Sequence, residues 1–170
     1  MSTQLVASRS LVTLALAAAS LLGAAHPASA QKPDAELKGI TVVGVVVEDM
    51  GSQALSCGFS QDTFEKAVSK IFPDAGLKVV RTSDEDTYLY VHVNTLTVPT
   101  NVCVSRFDTT LYTHTTAKLS YQDQPVLVQV SLLHSGGLSG GGVNGHAENV
   151  LRSVKQAAEQ FASRIRAVSK

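Results

Sequence analysis

Residues 145–170, GHAENVLRSVKQAAEQFASRIRAVSK, decide the fold. Val150, Leu151, Val154, Ala157, Ala158, Phe161, Ala162 and Ile165 recur at the spacing that gathers side chains into one stripe of an α-helix. Glu148, Arg152, Lys155, Glu159, Arg164 and Arg166 fall mostly off that stripe. A long helix with one apolar side must bury that side against another element, and the segments before it read as strands that can supply the surface.

Residues 40–47 are almost all β-branched apart from Gly44, as in a strand covered on both faces. Residues 49–58 read as a loop, with Gly51, Ser52 and Gly58 as breakers. Ser60 is placed to cap a helix over 61–72, with Asp62 in its first turn and Phe59 and Phe64 as a hydrophobic staple. Its buried stripe is Phe64, Ala67, Val68, Ile71 and Phe72, and Pro73 and Gly76 close it. A short strand at 77–80 and an acidic turn at 83–86 follow. Residues 88–97 alternate, with Leu89, Val91 and Val93 on one face and Tyr90, His92 and Asn94 on the other. After a turn at Pro99 and Asn101, residues 102–119 are long for one strand and predict a bulge near 108–110. Cys103, Phe107 and Leu111 then face the core, and Arg106, Asp108, Tyr112 and His114 the other way. A turn at 122–124 leads to a strand over 125–133, with Val126, Val128, Val130 and Leu132 inward and Gln129 and Ser131 outward. Residues 135–145, rich in Gly and Ser, read as a flexible connection.

The order β-α-β-β-β-β-α predicts an α+β two-layer sandwich. Its sheet is mainly antiparallel, of four to five strands joined as a meander, with both helices on one face and the other face open.

The first thirty residues hold one charge, Arg9, then an apolar run over 11–25 and the triplet Ala28-Ser29-Ala30. That is the pattern of a secretory signal peptide over residues 1–30. It leaves 31–170 as a single domain, placed in the periplasm or secreted. Lys and Arg together number 14, as do Asp and Glu. Without Arg9 the remaining chain carries a formal charge of −1, unlike the strongly basic balance of nucleic-acid binders. Trp is absent, which excludes a sugar platform built on it. No apolar run after residue 30 is long enough to span a membrane. Cys57 and Cys103, an even pair in an exported chain, are expected to form a disulfide stabilising the fold by roughly 3–4 kcal/mol.

The element order, size and export signal resemble small periplasmic α+β domains such as the amino-terminal domain of the Tol-system translocation protein and related envelope accessory modules. The chain also resembles short exported bacterial proteins without assigned activity. The resemblance lies in the pattern of elements, so no functional residue carries over. It implies a non-enzymatic envelope protein that works through contacts with an envelope partner.

Several residue sets invite chemistry. Gly140-Gly141-Gly142-Val143-Asn144-Gly145 matches G-x-G-x-x-G, yet no later strand supplies the acidic ribose ligand of a dinucleotide fold. Glu48 and Asp49 at a strand end could pair with Asp84, Glu85 and Asp86 to bind calcium, but they lack an EF-hand pattern. His92, His114, His134 and His146 show no H-x-H or H-E-x-x-H spacing, so no metal and no cofactor is expected. Asp108 with Arg106 or His114, near Ser105 or Ser131, has the residue types of a triad without a nucleophile elbow, so no catalytic residue is assigned. The open face is the candidate interface, formed by Tyr90, His92, Arg106, Asp108, Tyr112 and His114, since amphipathic aromatics are enriched at contacts. The alternative is a small-molecule or metal binder, or a hydrolase, using the same polar face.

Overall fold

A computed structural model describes residues 32–81, 85–98 and 101–169. The expected signal segment, Ser83 and Asp84 of the acidic turn, and Pro99 lie outside the described residues. A 3-10 turn, Ala35–Leu37, precedes β1 (Val42–Val47), α1 (Ser52–Ser56), α2 (Gln61–Ser69), α3 (Ile71–Asp74), β2 (Lys78–Val80), β3 (Thr87–Val98), β4 (Val102–Ala117), β5 (Val126–Gly142) and α4 (Val143–Val168).

The five strands form one mixed sheet in the order β2-β1-β3-β4-β5. The long strands β3, β4 and β5 are the expected antiparallel meander. β2 is not part of it. It lies parallel to β1, which also lies parallel to β3, so β1 separates two strands that are consecutive in the chain. The physical reason is the helical segment between β1 and β2. A parallel pair needs such a crossover, and the crossover delivers β2 to the outer side of β1. The Val-rich β1 is thereby flanked on both edges and buries Val43, Val45 and Val47.

α4 packs across β4 and β5, and α2 lies against β1 and α4, all on one side of the sheet. The apolar stripe of α4 is buried as its periodicity requires, through Val150, Val154, Ala157, Ala158, Phe161, Ala162 and Ile165. It meets Leu89, Val91, Leu111 and Leu133 of the sheet and Phe64, Val68 and Phe72 of the helical segment in one core. The Ser60 side chain accepts the Thr63 N–H at 3.3 Å and caps α2, while the Phe59 and Phe64 rings staple its entrance 5.7 Å apart. The expected helix over 61–72 is broken at Lys70. Pro73 falls inside the four-residue α3, in a first turn where its missing N–H leaves no bond unmade. The expected loop 49–58 contains the short α1, which brings Cys57 to Cys103 of β4 in a disulfide with Cα atoms 6.2 Å apart.

The largest departure is at residues 135–142. They are not a flexible connection. β5 continues through them and pairs with β4 from Val102 to Thr109. At Gly136 and Gly137 glycine is what that pairing needs. A Cβ at Gly136 would sit 2.6 Å from Asp108 Oδ1 and 2.8 Å from the Phe107 carbonyl oxygen, and one at Gly137 would sit 3.1 Å from Phe107 Cζ. Only at Asn144 and Gly145 does the chain leave regular geometry, Gly145 having φ 83°, before the α4 stripe begins. The bulge lies between Leu111 and Tyr112 rather than near residues 108–110, and β5 absorbs it. Leu133 pairs with Leu111 and Ser131 with Tyr112, leaving Leu132 as the extra residue. Leu133 therefore takes the core position expected of Leu132.

Candidate functional site

Opposed residues of an antiparallel sheet share a face. On the helix side these are Leu89 with Leu111, Val91 with Thr109, Val93 with Phe107 and Thr95 with Ser105. The reverse side therefore receives Tyr88 with Tyr112, Tyr90 with Thr110, His92 with Asp108, and Asn94 with Arg106. His114, paired with Gln129, follows the same parity. All six residues singled out from the sequence, Tyr90, His92, Arg106, Asp108, Tyr112 and His114, thus lie on the helix-free face. The bulge leaves β4 in step because the extra residue is on β5.

The residues are packed on one another rather than standing free in water. Tyr90 and Tyr112 have ring centroids 6.2 Å apart. Tyr88, which the sequence reading passed over although its parity assigns it here, is the centre of the group. It lies 5.8 Å from Tyr112 and 5.6 Å from His114, is itself buried, and accepts a hydrogen bond from Gln129 Nε2. Tyr90 donates its hydroxyl hydrogen to Glu48. That bond, reinforced by partial burial and the carboxylate charge, pushes the Tyr90 pKa up to about 12. The phenol is therefore a donor at any physiological pH. Glu48 also lies 3.5 Å from His92 Nε2.

A charged belt crosses the strands beside the aromatics. Arg106 Nε donates to Asp108 Oδ2 at 3.0 Å, and His134 Nε2 lies 3.7 Å from Asp108 Oδ1. Thr110 Oγ1 fixes the other ring nitrogen of His134 at 2.9 Å. Beyond the belt the surface turns apolar. Leu96, Val104 and Leu138 share this face by register and are exposed, Leu96 by 60% and Leu138 by 78%. The sequence reading missed Glu48, His134 and these apolar residues. The strand pattern carried the signal for Leu96 and Val104, whereas Leu138 was hidden by the assignment of its segment to a linker.

Of the triad residue types, Ser105 points into the core, on the opposite side of the sheet from Asp108, whereas the register sets Ser131, opposite Tyr112, on the same helix-free face as Asp108 and His114. Ser105 Oγ instead contacts His146 Nε2 at 2.8 Å and Thr95 Oγ1 at 2.7 Å, sealed under Phe59, whose ring meets the imidazole edge-on. Burial holds the His146 pKa below its ordinary value. With 1% of its surface exposed, the imidazole stitches the start of α4 to β4 rather than serving a substrate. Among the described residues no three His, Cys, Asp or Glu side chains gather as a metal requires. No helix among them is long and apolar enough to cross a membrane.

No protein-family model matches this chain, and no curated protein matches it. Two solved structures are similar in outline. One is the dodecamer of a PelC variant from Paraburkholderia phytofirmans, 12% identical, with a TM-score of 0.38 over 75% of this chain and 87% of that one. The other is a minor lipoprotein from Acinetobacter baumannii, 10% identical, with a TM-score of 0.31 over 75% of this chain and 94% of that one. Scores of this size carry no functional argument for this chain.

Proposed function

We propose that this chain is an exported protein of the bacterial envelope that acts by contact rather than catalysis, and that the helix-free face of the sheet is its contact surface. The observation that carries this reading is the composition of that face. Tyrosines, histidines, one exposed Arg and exposed Leu and Val side chains lie together where no helix of the described chain covers them, which is the mixture that interface cores and rims enrich. The Cys57–Cys103 disulfide and the signal-like first thirty residues support export.

The test is a double substitution, Tyr90→Ala with Tyr112→Ala, read by capture of partners from envelope extract. Truncated hot-spot aromatics typically cost about 2 kcal/mol or more of binding, roughly a thirtyfold loss of affinity. Retention of every wild-type partner by a folded double mutant would refute the proposal. A thermal-shift screen of metals and small molecules addresses the alternative. Stabilisation that disappears in both His92→Ala and Asp108→Ala would favour a ligand site on this face over a protein contact.

A further inference from the structure

β5 closes one side of the sheet. Its inner edge is paired with β4, and among the described residues no strand pairs with its outer edge. Exposed edges are templates for strand addition, and proteins guard them with shortness, Lys, Pro or inward charges. The opposite edge is guarded in this way, for β2 has three residues and includes Lys78. β5 has 17 residues and contains no Lys, Arg, Asp, Glu or Pro. It also exposes Leu127 by 74% and Leu138 by 78%.

We propose that the outer edge of β5 pairs antiparallel with β5 of a second copy of this chain, joining the two sheets into one. The choice of a second copy rests on the self-complementarity of the strand about the Leu132–Leu133 bond. A twofold axis there places Leu127 opposite Leu138, and Leu138 opposite Leu127, as an isologous interface requires. Both leucines lie on the helix-free face, since Leu127 pairs with Thr116 and Leu138 with Arg106 in the same chain. An odd and an even position share that face only because Leu132 is an extra residue in the register. On the helix side the same axis sets Val126, Val128 and Val130 against Ser139, Gly137 and Ser135, so each large side chain meets a small one. The strand carries no formal charge to repel its twin or to select a charged partner. The pairing extends both helix-free faces into one continuous surface, and it does not depend on what that surface binds.

The experiment is sedimentation equilibrium of the purified protein, of a Leu127→Lys and Leu138→Lys double variant, and of Leu96→Lys. Leu96 is exposed on the same face but belongs to β3, inside the sheet. The wild type should sediment at twice its chain mass, the double variant at its chain mass with an unchanged circular dichroism spectrum, and Leu96→Lys as the dimer. A wild type that stays monomeric up to its solubility limit overturns the proposal, as does a dimer that survives both lysines. A dimer lost equally in Leu96→Lys also overturns it by placing the interface on the sheet face. If the double variant fails to fold, hydrogen exchange of the wild type decides the matter. Protection of β5 amides that falls on dilution while β2 amides are unchanged supports edge pairing, and protection independent of concentration refutes it.

Discussion

Replacing Gly136 by Ala asks whether the glycine-rich segment is a strand or a linker. An added Cβ would lie 2.8 Å from the Phe107 carbonyl oxygen, a backbone atom that moves only if β4 moves, and 2.6 Å from Asp108 Oδ1. Asp108 is itself held by Arg106 at 3.0 Å, so swinging its carboxylate away gives up that pair. Overpacking of this kind costs about 1–3 kcal/mol, and an exposed ion pair adds about 0–1 kcal/mol. Against this, Ala restricts the unfolded chain and returns about 0.4–1 kcal/mol. The net loss is about 1–2 kcal/mol, or roughly 4–8 °C in melting temperature for a domain of this size. Gly140 lies in the same strand, but its Cβ would meet Cys103 O at 3.9 Å and Val104 Cγ2 at 4.0 Å, ordinary contacts. Gly140→Ala should keep only the entropic gain and raise the melting temperature by roughly 2–4 °C. Both are read by thermal unfolding at neutral pH. Equal, negligible shifts in the two variants would mean that the segment is unpaired and that β5 ends near Leu133.

Phe161→Ala, under the sheet and 3% exposed, should lose about 3–5 kcal/mol in urea unfolding, while the exposed Arg152→Ala stays within about 0.5 kcal/mol. Arg164 is a poorer control because it is paired with Asp34. Reducing Cys57–Cys103, which closes a loop with a separation of 46 residues, should lower stability by roughly 4 kcal/mol and raise the mass by about 2 Da. His146 is buried neutral, with its pKa lowered in the fold, whereas the unfolded imidazole takes up a proton near pH 6.5. Stability is therefore full above that pH and declines below it, by up to about 1.4 kcal/mol per pH unit until the folded imidazole also protonates. His146→Gln should remove that slope between pH 7 and 5, and an unchanged slope would assign it to another group.

Periodicity made some of this legible in the sequence. The α4 stripe, the Ser60 cap and the alternation of Leu89, Val91 and Val93 each follow from side-chain geometry within one element, so the buried helix face and the side of the sheet taken by Tyr90, His92, Arg106, Asp108, Tyr112 and His114 could be read before the fold was known. What failed was long-range. No local pattern says that β1 inserts between β2 and β3, because that choice is made by the crossover through α2. Residues 135–142 looked like a linker because glycine is a poor strand former alone. Their extended state is imposed by pairing with β4, where Asp108 and Phe107 leave no room for a side chain at Gly136 or Gly137. The burial of His146 was hidden for a similar reason. Its partner Ser105, itself bonded to Thr95, comes from the middle of the sheet, 41 residues away in the chain.

The most direct test of the contact surface is site-specific photo-crosslinking in intact cells, with a photoreactive phenylalanine analogue placed at position 90 or 112 and, for comparison, at position 152 on the outer side of α4. Discrete protein adducts are expected from positions 90 and 112 and none of the same mass from position 152. Adducts of equal mass and yield from all three positions, or none from 90 and 112, would contradict the assignment of the helix-free face as the surface through which this protein acts.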